Sequence, residues 1–419
     1  MQIICFEDQH VARLNPITLA RPAYAITCAS LKLIDWLRLL SEETSSSLSV
    51  CVRPYLQTIQ QLDEGLLPPT RSESSDILLV NARLAPKVGT LEALKKIAAS
   101  TKSTTLVDTD DSAVVAAKIQ ASDLAKPDSA GAMTWIDHLL EIASGVQQST
   151  ESDLTLFRWP HDVIATHMSQ MPAAMEWRLK TGDYQQTQDG VFVREGVQIG
   201  DYASVDTSDG PILLDKNVQV GPFSMLAGPV YAGAGTRVIE HSALKDGVAL
   251  GHTVKIGGEV EASVIEPFTN KQHHGFLGHS YLGSWINLGA GTCNSDLKNT
   301  YGKINMQYGD AKITTGMQFL GCVMGDYSKT AINTSIFTGK VIGVCSMLYG
   351  FATSNVPSFV NYARLFGQTA PLPAEVMIST QARMFARRKV QQRDCDKQLI
   401  LDMYEQTADE RESSEQYGL

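Results

Sequence analysis

Between residues 270 and 298 the sequence gathers side chains able to bind and activate a small polar molecule: Asn270, Lys271, His273, His274, Phe276, His279, Asn287, Asn294, Asp296 and Lys298. A neutral imidazole can take the proton of an amine nucleophile near pH 7, and lysines with carboxamides can hold a sugar phosphate and its hydroxyls. Among them runs Leu288-Gly289-Ala290-Gly291-Thr292. Its glycines let a ligand approach the backbone closely, and its N–H groups can donate to a thioester carbonyl or the oxyanion formed from it. His273, His274 and His279 on one stretch could instead be metal ligands or plain surface polar residues. No matched Cys or Glu cluster accompanies them, so no metal site is expected.

What positions these residues is a repeat. Leu214, Val220, Leu226, Ala232, Val238, Leu244, Leu250 and Ile256 stand six apart and are all aliphatic, and small or β-branched residues follow each by four. Ile199-Gly200, Leu282-Gly283, Leu288-Gly289, Met324-Gly325 and Ile342-Gly343 share the frame. This hexapeptide pattern predicts a parallel β-helix: three hexads make one coil, aliphatics stack inside, and small residues turn the corners. A period-two strand would not select every sixth residue, and an α-helix would lose the register within two repeats. The ladder is expected to break at 264–281 and again at 293–318, and insertions in a solenoid form loops that often bind.

The glycines divide the chain: only four of 32 precede residue 181. The first 170 residues show short apolar runs (Gln2–Cys5, Leu48–Val52, Asp76–Val80) between helical stretches such as Leu31–Leu40 and Met133–Ile142, the pattern of an α/β layer fold. We expect domains at 1–184 and 185–362 and a charged helical tail at 363–419. Arg383, Arg387, Arg388 and Lys389 in that tail form either a solvated helix face or contacts to a ligand's phosphates. With 35 basic and 45 acidic residues, the net charge of −10 gives no support for nucleic-acid binding, though a phosphate site needs only a few local cations. Seven scattered cysteines without a CxxC pair fit a reducing compartment, and no apolar run reaches membrane-spanning length. A cytoplasmic protein is expected.

The segment His273-x-x-Phe276-Leu277-Gly278, with Asn287-Leu288-Gly289-Ala290-Gly291-Thr292-Cys293-Asn294, resembles the acetyltransferase domain of the bifunctional uridyltransferase and glucosamine-1-phosphate acetyltransferase (GlmU-like) enzymes. A His fourteen residues before the Asn of an N-[IL]-G-A-G-T run, with a Cys-Asn pair soon after, carries the likeness. Met1–Pro22, Val80–Leu84 and Ser295–Gly302 are closer to an alternative bacterial branch of that family with a divergent N-terminal domain. The resemblance implies a left-handed parallel β-helix, acetyl-CoA as cosubstrate, an amino-sugar 1-phosphate as acceptor and a homotrimer. It makes His273 the base that deprotonates the amine. Phe276 falls where the family has a sugar-contacting Tyr, Asn287 and Asn294 match sugar-contacting carboxamides, and Ala290, with Gly291 beside it, meets the acetyl-CoA thioester. Ser295 replaces an aromatic, and Lys271 and Lys298 are the nearest counterparts of the sugar-phosphate lysine.

The same resemblance makes residues 1–184 a Rossmann-like sugar nucleotidyltransferase domain acting on UTP. The family's glycine-rich phosphate loop reads Phe6-Glu7-Asp8-Gln9-His10-Val11-Ala12-Arg13 here, with no glycine. Its acidic residues would repel a triphosphate unless Mg²⁺ intervened. Arg13 and Arg21 are left as phosphate contacts, and Asn81 stands where the family presents a metal-binding Asp. Three readings stay open: a bifunctional enzyme, a nucleotidyltransferase whose β-helix only assembles or regulates it, and a non-catalytic scaffold.

Overall fold

The computed structural model describes residues 1–124, 134–150, 153–363 and 368–416; of the helix expected at 133–142, Met133 lies outside them, as do 364–367 and 417–419 of the expected tail. Two compact units result. One comprises Met1–Leu14, Arg21–Ile26 and Leu31–Arg158, the other Asn15–Ala20, Thr27–Ser30 and Trp159–Leu419.

The first unit is α/β. Six strands, β1 (Gln2–Phe6), β2 (Ser47–Cys51), β3 (Ile77–Asn81), β4 (Thr104–Val107), β5 (Val114–Ile119) and β6 (Gln147–Ser149), lie in the order β2-β1-β3-β5-β4-β6. β1 pairs in parallel with β2 and β3, while β5 runs antiparallel to β3 and β4. β1 and β3 are buried along their whole length, so their apolar runs need no alternation. Helices α1 (Leu33–Glu43), α2 (Gln57–Glu64), α3 (Thr90–Ala98), α4 (Ala121–Leu124) and α5 (Trp135–Ser144) complete the unit. α1 buries Leu33, Trp36, Leu37 and Leu40, the i, i+3, i+4, i+7 stripe of an amphipathic helix. α5 opens on Thr134, whose hydroxyl accepts from Asp137 N–H, and closes at Gly145.

The second unit opens with α6 (Pro160–Thr181), a helix that the sequence reading assigns to the first domain. The parallel β-helix follows. Leu214, Ala232 and Leu250 stack in one column, Val220, Val238 and Ile256 in a second, Val205, Leu226, Leu244 and Val260 in a third. Nearly all of these are buried, in a single apolar cluster running along the bore. Corners need a left-handed backbone, and Asn217, Gly235 and Thr253, eighteen apart, supply it with φ of 58°, 69° and 60°.

The expected break at 264–281 does not occur. The corner at Gly257-Gly258 is shortened, so that Val260 follows Ile256 after four residues, and the columns resume through Ile265, Lys271, Leu277, Leu282 and Asn294. The second stretch does leave the ladder: after Cys293–Asn294 the chain runs out to an antiparallel hairpin, Asn305–Tyr308 with Ala311–Thr314, and returns at Cys322–Met324. The tail comprises α7 (Ala374–Arg387), α8 (Asp394–Gln406) and α9 (Ala408–Gln416). α7 is anchored by Phe385, whose ring lies 4.4 Å from that of Trp285, itself stacked at 4.2 Å on Phe268.

Candidate functional site

The shortened coils decide which expected site residues can meet a ligand. Lys271 continues the inward column of Val238 and Ile256, and its side chain is buried in the bore. Its ammonium donates to the carbonyls of Gly257 (2.7 Å), His273 (3.1 Å) and Gly275 (2.9 Å). Burial pulls its pKa down to about 8. Three acceptors saturate an ammonium, so Lys271 holds the 273–275 corner in place of binding phosphate. Asn294 likewise occupies an inward position above Leu277: its Oδ1 accepts from Gly278 N–H (2.9 Å) and its Nδ2 donates to Gly278 O and Ser280 Oγ. Both corrections have one cause, alternation along a strand, which sends i and i+1 to opposite faces.

The neighbours of these residues face outward. Asn270 and Asn287 pair in register, with Asn270 Nδ2 donating to Asn287 Oδ1 at 2.7 Å, and Asn270 Oδ1 is buried without a partner among the described residues. Together with Lys255, Gln272, Trp285 and the α7 residues Arg387 and Arg388 they line a pocket of about 130 Å³. Lys255 pairs in register with Arg237. Like charges directly opposed across a parallel ladder are unfavourable unless they share an anion. Burial lowers the pKa of Lys255, and Arg388, Arg237 and Arg387 push it lower still; burial and Arg387 do the same to Arg388. None of the four has an ion-pair partner among the described residues. Arg387 and Arg388 thus line the pocket, whereas Arg383 bonds Thr380 on its own helix. Sequence reasoning missed Arg237 and Lys255, yet their spacing of eighteen, one full coil, was a legible signal.

His273 and His274 are exposed at the corner next to the pocket residue Gln272, and neither side chain has a described partner. Phe276 is half-buried on the outer side of its strand, its N–H on Cys293 Sγ. In the glycine-rich run, Gly289 N–H is taken by Thr330 and Gly291 N–H by His274 O, which leaves Ala290 N–H as the donor without a described acceptor. Gly291 has φ of 74°, and a Cβ there would meet Asn333 Oδ1 at 2.1 Å, so any larger residue requires the Asn333 side chain to move. Lys298 donates to Lys303 O within its own loop and does not line the pocket.

In the first unit the strand ends are neutralised internally. Glu7 accepts from Arg53 Nε (3.0 Å) and from Ala23 N–H. Asp8 takes a bidentate pair from Arg83 (2.9 and 2.6 Å), and although burial alone would raise its pKa, Arg83 holds it below the usual carboxylate range. Asn81 is spent on Asp8, the Val114 carbonyl and Arg83 N–H, and Arg13 sits 3.4 Å from Asp111. Arg21, half-buried, lends its carbonyl to Arg53. Asp108 and Asp110 are bridged by Arg158. With these carboxylates committed to arginines, the donor set does not fit a resident Mg²⁺.

Residues 3–180 match the family model described as sugar nucleotidyl transferase. Among curated proteins, the chain is 31% identical over 103 residues to a bifunctional sugar-1-phosphate nucleotidylyltransferase/acetyltransferase of Sulfurisphaera tokodaii, covering 24% of this chain and 26% of that one. It is 32% identical over 115 residues to the bifunctional protein GlmU of Cupriavidus pinatubonensis, covering 26% and 24%. It is 26% identical over 150 residues to the uncharacterized acetyltransferase YaiX of Escherichia coli O6:K15:H31, covering 35% and 65%. The chain thus spans about a quarter of the length of the first two and under two thirds of the third. A solved UDP-N-acetylglucosamine acyltransferase of Francisella novicida is similar at 12% identity over 51% of this chain and 90% of that one, with a TM-score of 0.26. Residues 3–180, ahead of the β-helix, are thus similar to sugar nucleotidyl transferases, and about a quarter of the chain is similar to GlmU and to a bifunctional nucleotidylyltransferase/acetyltransferase. No described helix is long and apolar enough to cross a membrane.

Proposed function

We propose that the β-helix transfers an acetyl group from acetyl-CoA to the amine of an amino-sugar 1-phosphate of the glucosamine 1-phosphate type. The observation that carries this is the pocket beside the Asn270–Asn287 pair, where Lys255, Arg387 and Arg388 converge with no counter-ion among the described residues and Asn270 Oδ1 is a buried acceptor with no partner among them. Coenzyme A brings phosphates for the cations and a pantetheine amide N–H for the carboxamide oxygen. At the neighbouring corner His273 takes the amine proton as the nitrogen attacks the thioester carbon. The C–S bond breaks, the proton passes to the departing thiolate, and Ala290 N–H donates to the oxyanion between these steps. Asn287 contacts the acceptor sugar. The reading includes a homotrimer, to be checked by light scattering.

The test is acetyl-CoA consumption with glucosamine 1-phosphate. His273→Ala should slow it by on the order of 10²–10⁴-fold at unchanged fold; equal rates would remove His273 from this role. The match over residues 3–180 favours a second activity, nucleotidyl transfer from UTP to a sugar 1-phosphate. Pyrophosphate release from that pair tests it, and since the described carboxylates at the strand ends of the first unit are committed to arginines, such activity would require Mg²⁺ to arrive with the nucleotide.

A further inference from the structure

The three histidines that sequence places together separate in space. His279 sits at the next corner of the coil and joins Glu261 and Asp296, residues of the coils on either side. One ligand atom of each of the three lies within 4.8 Å of the others. We propose that this corner is a binding site for one divalent transition-metal ion of the Zn²⁺ class, a site independent of the acetyl-transfer reading.

The donor set and its surroundings support this. His279 Nδ1 is 2.8 Å from Asp296 Oδ2, and the side chains of Glu261, His279 and Asp296 are 18%, 19% and 12% exposed, which leaves a path for an ion and a position for water. Two carboxylates and a neutral imidazole match a divalent charge, and the imidazole favours Zn²⁺ or Co²⁺ over Mg²⁺ and Ca²⁺, which take oxygen donors. The place of the cation is now taken in part by Lys245, 3.3 Å from Glu261 and 2.7 Å from Glu259. Lys245 can keep Glu259 when Glu261 turns to an ion. The imidazole is held by the Phe319 ring stacked at 5.2 Å. The backbone is equally committed: Leu320 N–H donates to Asp296 O and Gly321 N–H to His279 O, which places the site at the root of the 295–320 insertion. An ion here ties three successive coils to that root.

The experiment uses the full chain, stripped with chelator and titrated with Zn²⁺ and Co²⁺. We expect one ion per chain by calorimetry, a visible Co²⁺ absorption band, displacement by Zn²⁺ but not by Mg²⁺, and a melting temperature that rises with Zn²⁺ concentration. Glu261→Gln and His279→Gln should each weaken binding by at least about 100-fold, judged on variants whose circular dichroism matches the parent, while the double variant His273→Ala/His274→Ala should bind as the parent does. Absence of saturable binding at millimolar metal, or binding that survives His279→Gln and disappears with His273 and His274, overturns the proposal.

Discussion

Lys271 shows how a single side chain changes meaning with its register. A lysine between Asn270 and two histidines reads as a phosphate ligand; one position in a ladder turns it into an internal fastener of three carbonyls. Lys271→Met should therefore lower stability by roughly 2–5 kcal/mol, through carbonyls left unsatisfied, as measured by urea unfolding. A rise in KM for the sugar phosphate with stability intact would instead restore the phosphate role. His167 gives a pH prediction. It is fully buried on α6, with Nδ1 accepting from Ala29 N–H and Nε2 donating to Gly247 O, and burial lowers its pKa to about 4. The unfolded chain binds this proton near pH 6.5, the native one only near 4. Stability present above pH 6.5 is thus lost as pH falls toward 4, by about 3 kcal/mol. Urea midpoints at pH 7 and 4.5 should show this loss, and His167→Gln should remove that slope.

At the scale of elements, the β-helix was legible because its signal repeats. Eight aliphatics at one period outweigh any local ambiguity, and the bore they predict is the one observed. The continuity of the ladder through 264–281 was not legible, since Gly257-Gly258 shortens a corner and a count in sixes from Ile256 then misses the inward positions; the same slip hid the inward orientation of Lys271 and Asn294. Of the pocket's lining, Asn270 and Asn287 stand out in the sequence by type and spacing, whereas its cations come together only once coils stack and α7 docks. The columns make a plain stability prediction. Leu244→Ala, in the bore, should cost about 2–5 kcal/mol, and Met225→Ala, 42% exposed on the outer face of the neighbouring strand, under about 0.5 kcal/mol, both by thermal or urea unfolding.

For the whole molecule, net charge is a poor guide to the local surface. An acidic chain keeps a small basic pocket whose cations have no ion-pair partner among the described residues, and under the proposed acetyl transfer its effect should be local: Arg387→Glu with Arg388→Glu should raise KM for acetyl-CoA by about 10–100-fold, with the parent's KM rising with salt while the variant's barely moves. The second unit also reaches back to the beginning of the chain. Thr27 donates its N–H and hydroxyl to the buried carboxylate of Glu266, to which Tyr281 also donates, and Ala29 N–H donates to His167. Thr27 and its acceptor are 239 residues apart in sequence. During synthesis at about 5–20 residues per second, this early segment waits roughly 12–48 s for the carboxylate that receives it. Its Thr27, buried in the finished protein, is open to the ribosome's surroundings for that interval, so chaperone occupancy on the nascent chain should persist until residue 266 has emerged.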